Sequence, residues 1–311
     1  MNHVGRILPL FASALAFAAA SMCAGAAETS EPRVHSEMLV STDWLNRNLD
    51  NPNVVILHVA EKPAGYRAGH VPGARFLAWD DVVTTRGGLP NEIPPLERLV
   101  PLLRRLGIAD QSRVIVYDEN AGLQAARVYV TFDYLGMGNR AALLDGQLKT
   151  WRAEGRPLTT AVPEVRPSTY TPTIHPDIIV PFRAVQELVR ARDTARGTTV
   201  TMLDGRPEAQ YSGAEAGEGI AHPGHIPGAE SLCWEKNLVS KDNPVLRPVK
   251  DLRETYEKAG ATAGHPVVTY CRTGVMASHD YFTAKYLGYD ARLYDGSYME
   301  WNRAKDAKIA K

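Results

Sequence analysis

Most of this sequence consists of two copies of one repeat, and that duplication limits the possible folds more than any other feature. GHVPGA at 69–74 returns as GHIPGA at 224–229, and GIADQSRVIVYD at 107–118 is matched by GATAGHPVVTYC at 260–271. Two more landmarks keep the same order: YLG at 134–136 and 286–288, and DG followed by Trp at 145–151 and 295–301. Four landmarks at nearly constant spacing indicate two homologous domains, and units of this length exclude a solenoid.

The overall composition agrees with two ordinary globular domains. The chain has 311 residues, of which 44% are apolar and 23% are charged, as is usual for globular proteins of this size. Thirty-five basic residues balance thirty-five acidic ones, which argues against nucleic acid or an anionic membrane as a partner. Three cysteines are too few for a disulfide scaffold or a Cys-rich zinc site. No cofactor or metal is therefore expected, and His222 and His225 are interpreted as turn residues.

The first 26 residues have the layout of a secretory signal peptide. A short positive stretch ends at Arg6, an apolar run follows at 7–20, and Ala-Gly-Ala at 24–26 fits the A-x-A pattern before a cleavage site. The apolar run is too short to span a bilayer comfortably. We expect cleavage after Ala26, export to the periplasm or the exterior, and no membrane attachment of the mature chain.

A proline-rich stretch separates the two repeats. Five prolines lie within residues 156–176, and such a composition favours an extended, semi-rigid linker. The predicted domains therefore cover residues 35–155 and 177–311.

Both domains alternate short apolar runs with helical periodicity. Strands are predicted at 54–59, 114–117, 199–203, 266–270 and 291–294, and helices at 249–259 and 276–287. A further helix at 95–106 contains Pro101, which predicts a late start or a kink. Strands that alternate with helices indicate a parallel sheet covered on both faces, with sites at the carboxyl ends of its strands.

The segment with the clearest chemical signature is CRTGVMAS at 271–278, between a predicted strand and a predicted helix. Unpaired N–H groups at the helix N-terminus and the charge of Arg272 favour a thiolate, so the pKa of Cys271 is expected to lie below its free value near 8.5. Gly274 permits the backbone angles of such a loop. A buried, inert cysteine is the alternative. Cys233 is interpreted as a core residue, with a Cys233–Cys271 disulfide as a lesser alternative.

CRTGVMAS, the two GH-[IV]-PGA segments and the closing YDGSYMEW resemble the tandem-domain rhodanese family, the thiosulfate/3-mercaptopyruvate type of sulfurtransferase. The resemblance covers about residues 35–305. It implies an α/β fold of two rhodanese-like domains, each a mainly parallel five-stranded sheet with helices on both faces, the first domain being non-catalytic. Asp118 occupies the position of Cys271 in the first domain and cannot carry a sulfane sulfur. We therefore expect one catalytic centre per chain, with the first domain walling the cleft between domains.

The resemblance also implies the reaction. The Cys271 thiolate takes the outer sulfur of a small-molecule donor such as thiosulfate, sulfite leaves, and an acceptor such as cyanide or a thiol removes the sulfur from the persulfide. Cys271 is the predicted catalytic residue. Substrate binding is assigned to Arg272, Thr273, Gly274, Val275, Met276 and Arg206, and support of the loop to Asp204 and Ser278. Arg206 has a second interpretation, in which it only pairs with Asp204 and braces the loop.

Two cations that the resemblance leads one to expect are absent. Thr273 replaces a lysine, and Gln210 stands where a second arginine would be. Each missing charged hydrogen bond could weaken binding of a dianion by about 1.5–3 kcal/mol. Thiosulfate remains the favoured donor because of Arg272, with 3-mercaptopyruvate as an alternative. A sulfur-carrier module acting with a protein partner is the non-enzymatic alternative. A Cys-dependent phosphatase is disfavoured, because Ala277 occupies the position of its anion-binding arginine.

Overall fold

The structure, a computed structural model, describes Met1, residues 31–192 and residues 199–311. The predicted signal peptide lies outside the described residues, apart from Met1. In the described part of the chain, no helix combines the length and the apolar character that a bilayer span requires.

The first domain contains a five-stranded sheet in which every pairing is parallel. Its strands are β1 (Leu39–Val40), β2 (Val54–Ala60), β3 (Arg75–Ala78), β6 (Arg113–Tyr117) and β7 (Ala141–Leu144), in the order β1-β7-β6-β2-β3. Its helices are α1 (Thr42–Arg47), α2 (Ala64–Ala68), α3 (Trp79–Val82), α4 (Leu96–Arg105), α5 (Leu123–Tyr134) and α6 (Gln147–Ala153). A separate antiparallel hairpin consists of β4 (Thr84–Arg86) and β5 (Leu89–Glu92); the sequence did not predict it.

The second domain repeats this plan with one strand fewer. Its strands are β8 (Thr201–Asp204), β9 (Ala229–Ser231), β10 (Pro266–Tyr270) and β11 (Asp290–Leu293), in the order β11-β10-β8-β9. Its helices are α7 (Phe182–Arg192), α8 (Glu208–Tyr211), α9 (Val249–Lys258), α10 (Val275–Tyr286) and α11 (Ser297–Arg303). The fifth strand of the prediction is reduced to one parallel bridge between Ile179 and Leu293. The Val180 N–H donates to the Leu293 carbonyl at 2.8 Å, and the chain then turns into helix α7 at Phe182.

The central strands of both sheets are almost continuously buried, as expected for parallel strands that helices cover on both sides. The register of the two domains is equivalent at the end of these strands. Tyr117 of β6 lies opposite His58 of β2, and Tyr270 of β10 lies opposite Asp204 of β8. The chain therefore enters the Asp118 loop and the Cys271 loop at corresponding points of the two sheets.

Helix α4 runs without interruption from Leu96 to Arg105, so the late start predicted from Pro101 is wrong. Pro101 removes one hydrogen bond, to the carbonyl of Glu97. Glu97 lies in the first turn and is exposed, so water can satisfy its carbonyl.

The linker lies extended along the first domain, and no helix or strand is assigned at 160–175. Thr159 pairs with His70 in an isolated bridge, and the Tyr170 hydroxyl donates to the Leu135 carbonyl at 2.6 Å. The Arg104 guanidinium donates to the Tyr170 carbonyl.

The two domains meet through α5 and α10, the helices that follow the two loops. Tyr129 and Phe282 pack edge to face with ring centroids 4.9 Å apart. The Tyr281 hydroxyl donates to Asp133 at 2.5 Å, and Lys285 forms an ion pair with the same carboxylate. Both loops are thereby brought to the edge of one interface.

Candidate active site

A cleft of about 900 Å³ opens between the two domains, and the loops of both domains line it. Cys271 is only 1% exposed and lies at its floor. The first domain supplies much of the wall, as predicted. Its lining residues are Glu61, Trp79, Asn91, Asp118, Glu119, Asn120, Ala121, Leu123, Gln124, Lys149 and Arg152; those of the second domain are Trp234, Lys241, Cys271, Arg272, Thr273, Val275 and Met276.

Backbone N–H groups surround the Cys271 thiol. Those of Ala277, Thr273 and Met276 face the sulfur and lower the pKa of the thiol. The carbonyls of the loop are turned the other way: Cys271 and Arg272 accept from the first-turn N–H groups of α11, at 2.9 and 3.1 Å. Because the carbonyls bond outward, the inner side of the loop presents donors, which is the arrangement of an anion nest.

Burial raises the pKa of the Cys271 thiol above its ordinary value, and the surrounding N–H groups lower it only in part. The nearby Asp204 carboxylate adds to the rise. The lowered pKa predicted from the helix N-terminus is therefore wrong for this resting thiol. The predicted N–H groups are present, but the loss of hydration outweighs them.

Gly274 has a structural role beneath the loop. Its φ is +84°, a left-handed conformation that side chains rarely adopt. A Cβ at this position would lie 2.9 Å from Asp295 Oδ1 and 3.2 Å from an Arg127 nitrogen. Only glycine fits both the turn and the contact with the first domain. Ser278, one turn into α10, donates from Oγ to the Gly274 carbonyl at 2.7 Å and ties the loop to the helix.

Four residues of the loop with predicted binding roles line the cleft. Arg272 is half-buried, and its guanidinium donates to the carboxylate of Glu218 at 2.9 Å. The Thr273 hydroxyl is almost fully buried and accepts from the Asn91 side-chain amide at 3.1 Å. Val275 and Met276 contribute apolar surface.

Arg206 does not reach the cleft, so its predicted substrate-binding role is wrong. Its side chain is completely buried and bonds to both carboxylate oxygens of Asp204, at 2.5–3.1 Å. It also donates to the Gly224 carbonyl at 2.8 Å and lies 4.0 Å above the Tyr298 ring. The bracing alternative is the one observed: Arg206 holds Asp204 at the end of β8, beside the catalytic loop.

The corresponding loop of the first domain encloses the carboxylate of Asp118. Asp118 Oδ1 accepts from the N–H groups of Asn120 and Gly122 at 2.8 and 3.0 Å. Asp118 Oδ2 accepts from those of Gln124 and Ala125 at 3.0 and 3.3 Å. Four inward N–H groups therefore enclose this carboxylate. Because the acid is buried, its pKa is raised.

Several lining residues escaped the sequence analysis. Trp79 and Trp234 form apolar walls, and Lys149, Arg152 and Lys241 place positive charge around the opening. Lys149 lies in the duplicated DG–Trp segment, and Arg152 directly follows that segment. Because the segment follows a sheet strand in both domains, the duplication was a signal that could have identified these two residues as part of a site. Trp79, Trp234 and Lys241 carried no comparable signal.

The turn histidines behave alike in the two domains. His70 Nδ1 bonds to the Tyr66 carbonyl at 2.8 Å, and His225 Nδ1 bonds to the Tyr211 carbonyl at 2.9 Å. Each ring stacks on the tyrosine of the same turn. The structural role predicted for His225 is confirmed. Across the described residues, no three His, Cys, Asp or Glu side chains converge as metal ligands.

Cys233 and Cys271 are both free thiols. Cys233 is half-buried, and burial raises its pKa. The disulfide alternative is thus not formed in this structure.

Comparisons with known proteins agree with this architecture. A family model for the rhodanese-like domain matches the chain twice, at residues 41–154 and 185–304. The sulfur carrier protein TtuD of Thermus thermophilus is 34% identical over 89% of this chain and 98% of its own length. A thiosulfate sulfurtransferase of Corynebacterium glutamicum is 30% identical over 87% of this chain and 89% of its own length.

Solved structures show the same fold. SseA of Escherichia coli, described as a 3-mercaptopyruvate sulfotransferase, has a TM-score of 0.72 at 24% identity, covering 84% of this chain and 98% of that one. YnjE has a TM-score of 0.77 at 22% identity, covering 89% of this chain and 69% of that one. With both domains matched and full-length relatives at 30% identity or more, the chain belongs to the rhodanese family of sulfurtransferases.

Proposed function

We propose that this protein is a thiosulfate sulfurtransferase that carries sulfur as a persulfide on Cys271. The observation that supports this most strongly is the position of the thiol, at the floor of the interdomain cleft and surrounded by three inward N–H groups. Such donors stabilise negative charge that develops on sulfur. The corresponding ring of the first domain already holds a carboxylate, so one ring per chain is left for chemistry.

The first half of the reaction is a displacement at sulfur. The thiol loses its proton to solvent, and the Cys271 thiolate attacks the outer sulfur of thiosulfate. The S–S bond of the donor breaks, its electron pair leaves with sulfite, and Cys271 retains an anionic persulfide. In the second half, cyanide or a thiolate attacks the terminal sulfur. The product leaves as thiocyanate or a new persulfide, and the Cys271 thiolate is restored.

Thiosulfate is the preferred donor because a cationic side chain directly follows the cysteine. Arg272 lines the cleft, although it shares its charge with Glu218. Lys149, Arg152 and Lys241 also place positive charge at the opening, which favours an anionic donor, although Lys149 and Lys241 form ion pairs with Asp242 and Glu235. Mercaptopyruvate carries one negative charge where thiosulfate carries two, so it makes less use of this positive charge.

Mass spectrometry of the intact protein tests the proposal. After incubation with thiosulfate and removal of excess donor, the wild type should gain the mass of one sulfur atom, and cyanide should remove it. Cys271→Ser, which keeps the fold, should gain nothing. Mercaptopyruvate is compared in parallel. No gain with thiosulfate but a full gain with mercaptopyruvate would reverse the donor assignment, and no gain with either would contradict the proposed chemistry.

A second candidate function is that of a sulfur carrier that passes its persulfide to a protein partner. The observation in its favour is the 34% identity to a protein named a sulfur carrier. Turnover with free thiosulfate and cyanide separates the two. An enzyme completes many cycles at low donor concentration, whereas a carrier takes up one sulfur and then turns over slowly.

We also propose that the chain is exported and cleaved after Ala26. The charged start, the apolar run and the A-x-A pattern support this. N-terminal sequencing of the protein from an exporting bacterial host should begin at Ala27. Recovery of the intact N-terminus in the cytoplasmic fraction would contradict export.

A further inference from the structure

A residue of the first domain contacts the catalytic loop directly. Asn91, in the hairpin strand β5, lines the cleft and donates from its side-chain amide to Thr273 Oγ1 at 3.1 Å. The N–H of Thr273 is also one of the three that lower the pKa of the Cys271 thiol. The hydrogen bond therefore joins the first domain to the ring around the reactive sulfur.

The backbone of Asn91 is held in an uncommon conformation. Its φ is +64°, and the other non-glycine residues with positive φ in the described chain are Gln147 and Ser297. Gln147 and Ser297 each hold one of the two loops by a hydrogen bond. The Gln147 amide oxygen accepts from the Asp118 N–H at 2.9 Å, and the Ser297 hydroxyl oxygen accepts from the Cys271 N–H at 3.2 Å. Backbone strain of this kind persists where the surroundings impose it, often at functional sites.

Two further contacts fix the position of Asn91. Its carbonyl accepts from the guanidinium of Arg127, a completely buried side chain. The same guanidinium pairs with Asp295 Oδ1 at 2.5 Å, and Asp295 Oδ2 accepts the N–H of Ile93 at 3.2 Å. Asn91 is thus anchored through both domains, and its amide has little freedom to leave Thr273.

The direction of this hydrogen bond has a chemical consequence. A hydroxyl has one proton to donate and two lone pairs that accept. When Thr273 Oγ1 accepts from Asn91, its own proton remains free for another acceptor. A hydroxyl that accepts a hydrogen bond also becomes a better donor in a buried site.

We propose that Asn91 is a positioning residue for donor specificity, which directs the Thr273 hydroxyl proton toward the anion bound above Cys271. The Thr273 hydroxyl, a neutral hydrogen-bond donor that the first domain orients, thereby takes the place of the lysine that the family resemblance leads one to expect. This inference rests on the proposed sulfur-transfer function and concerns recognition of its anionic donor.

Steady-state kinetics of Asn91→Gly test the inference. Glycine accepts the positive φ, so the substitution removes the amide without adding backbone strain. The KM for thiosulfate should rise roughly fivefold, as for the loss of one neutral hydrogen bond, with kcat within about twofold. Thr85→Ala, an exposed change on the same hairpin, is the matched control and should leave both constants unchanged. An unchanged KM in Asn91→Gly would overturn the inference.

A double-mutant cycle separates positioning from general support of the fold. Thr273→Val should show the same rise in KM, and Asn91→Gly should add nothing in the Thr273→Val background, because the two residues act through one hydroxyl. Fully additive effects would contradict the inference. Melting temperatures of all variants accompany the cycle.

Binding to an inactive protein distinguishes failure of this inference from failure of the proposed function. Trp79 and Trp234 line the cleft and serve as fluorescent reporters. Thiosulfate should bind Cys271→Ser roughly fivefold more tightly than it binds the Cys271→Ser/Asn91→Gly variant. Equal affinities overturn the role of Asn91 even if the wild type transfers sulfur. Absence of sulfur loading on the wild type refutes the function, whatever the affinities are.

Discussion

The loops that follow β6 and β10 have the same construction but enclose different groups. In each, the third residue after the strand and two residues of the following helix direct their N–H groups inward. In each, the carbonyl of the first loop residue accepts from the next helix of its own domain, from Leu148 at 3.2 Å and from Tyr298 at 2.9 Å. The enclosed group is a carboxylate in the first domain and a thiol in the second.

This difference shows how one scaffold yields a structural half and a reactive half. The Asp118 carboxylate satisfies four N–H groups permanently and leaves no room for a guest. The Cys271 thiol is a weaker partner for its three N–H groups, so they remain able to stabilise a more negative sulfur species. Under the proposed function, the reactivity of the second domain comes from this ring of incompletely satisfied donors.

The largest expected effect is on the reactive half. Cys271→Ser should reduce sulfur transfer from thiosulfate to cyanide by at least about a thousandfold, because no thiolate remains. The melting temperature should change little, since a hydroxyl can still accept from the ring. Assay of thiocyanate formation together with thermal melting checks both. Retention of a tenth of the activity would place the reactive group elsewhere.

For the first domain we expect the opposite result, a loss of stability without a loss of activity. Asp118→Ala leaves several buried N–H groups without an acceptor, each costing about 1–3 kcal/mol where water cannot replace the carboxylate. Denaturant titration should show a lower free energy of unfolding. The kcat/KM should stay within about twofold, because no sulfur resides on this loop. Activity as low as that of Cys271→Ser would disprove the assignment of one centre per chain.

The pH dependence tests the charge state of the thiol that the second ring encloses. Burial raises the pKa of Cys271, so near neutral pH most molecules hold the protonated thiol. The rate of persulfide formation should therefore rise with pH, by up to about tenfold per unit below that pKa, because only the thiolate attacks. Rapid mixing with thiosulfate between pH 6 and 10 measures it. A rate already constant from pH 6 upward would contradict the raised pKa.

The smallest expected effect comes from restoring the missing cation to the Cys271 loop. Thr273→Lys should tighten thiosulfate binding roughly tenfold, the gain from one charge-assisted hydrogen bond. The corresponding Asn120→Lys in the first loop serves for comparison, since Asn120 holds the same place after Asp118. An unchanged or higher KM for thiosulfate in Thr273→Lys would show that the hydroxyl is the better partner at this position.

The features that the sequence predicted well are local or repeated. Apolar runs located the sheet strands β2, β6, β8, β10 and β11 to within two residues, and the duplication identified the two domains. The N–H groups that face Cys271 followed from its place before a helix. In all these cases the information lies in neighbouring residues or is stated twice in the chain.

The features that the sequence did not reveal depend on distant contacts. Asn91 lies 182 positions from Thr273, and nothing near it in the chain marks it as part of a site. Arg206 was misassigned because its motif does not show that both oxygens of Asp204 already bind its guanidinium. The direction of the Cys271 pKa was wrong because burial is set by the packing of both domains, which no local motif encodes.

In the first loop, the Asp118 carboxylate is a built-in side chain that occupies the place of a bound anion. The first domain is therefore stiff as soon as it has folded and presents a constant wall to the substrate. Under the proposed function, the second loop encloses a comparable anion only while Cys271 carries a persulfide. The second loop should therefore be more ordered while Cys271 carries the persulfide and less ordered after the sulfur has been transferred.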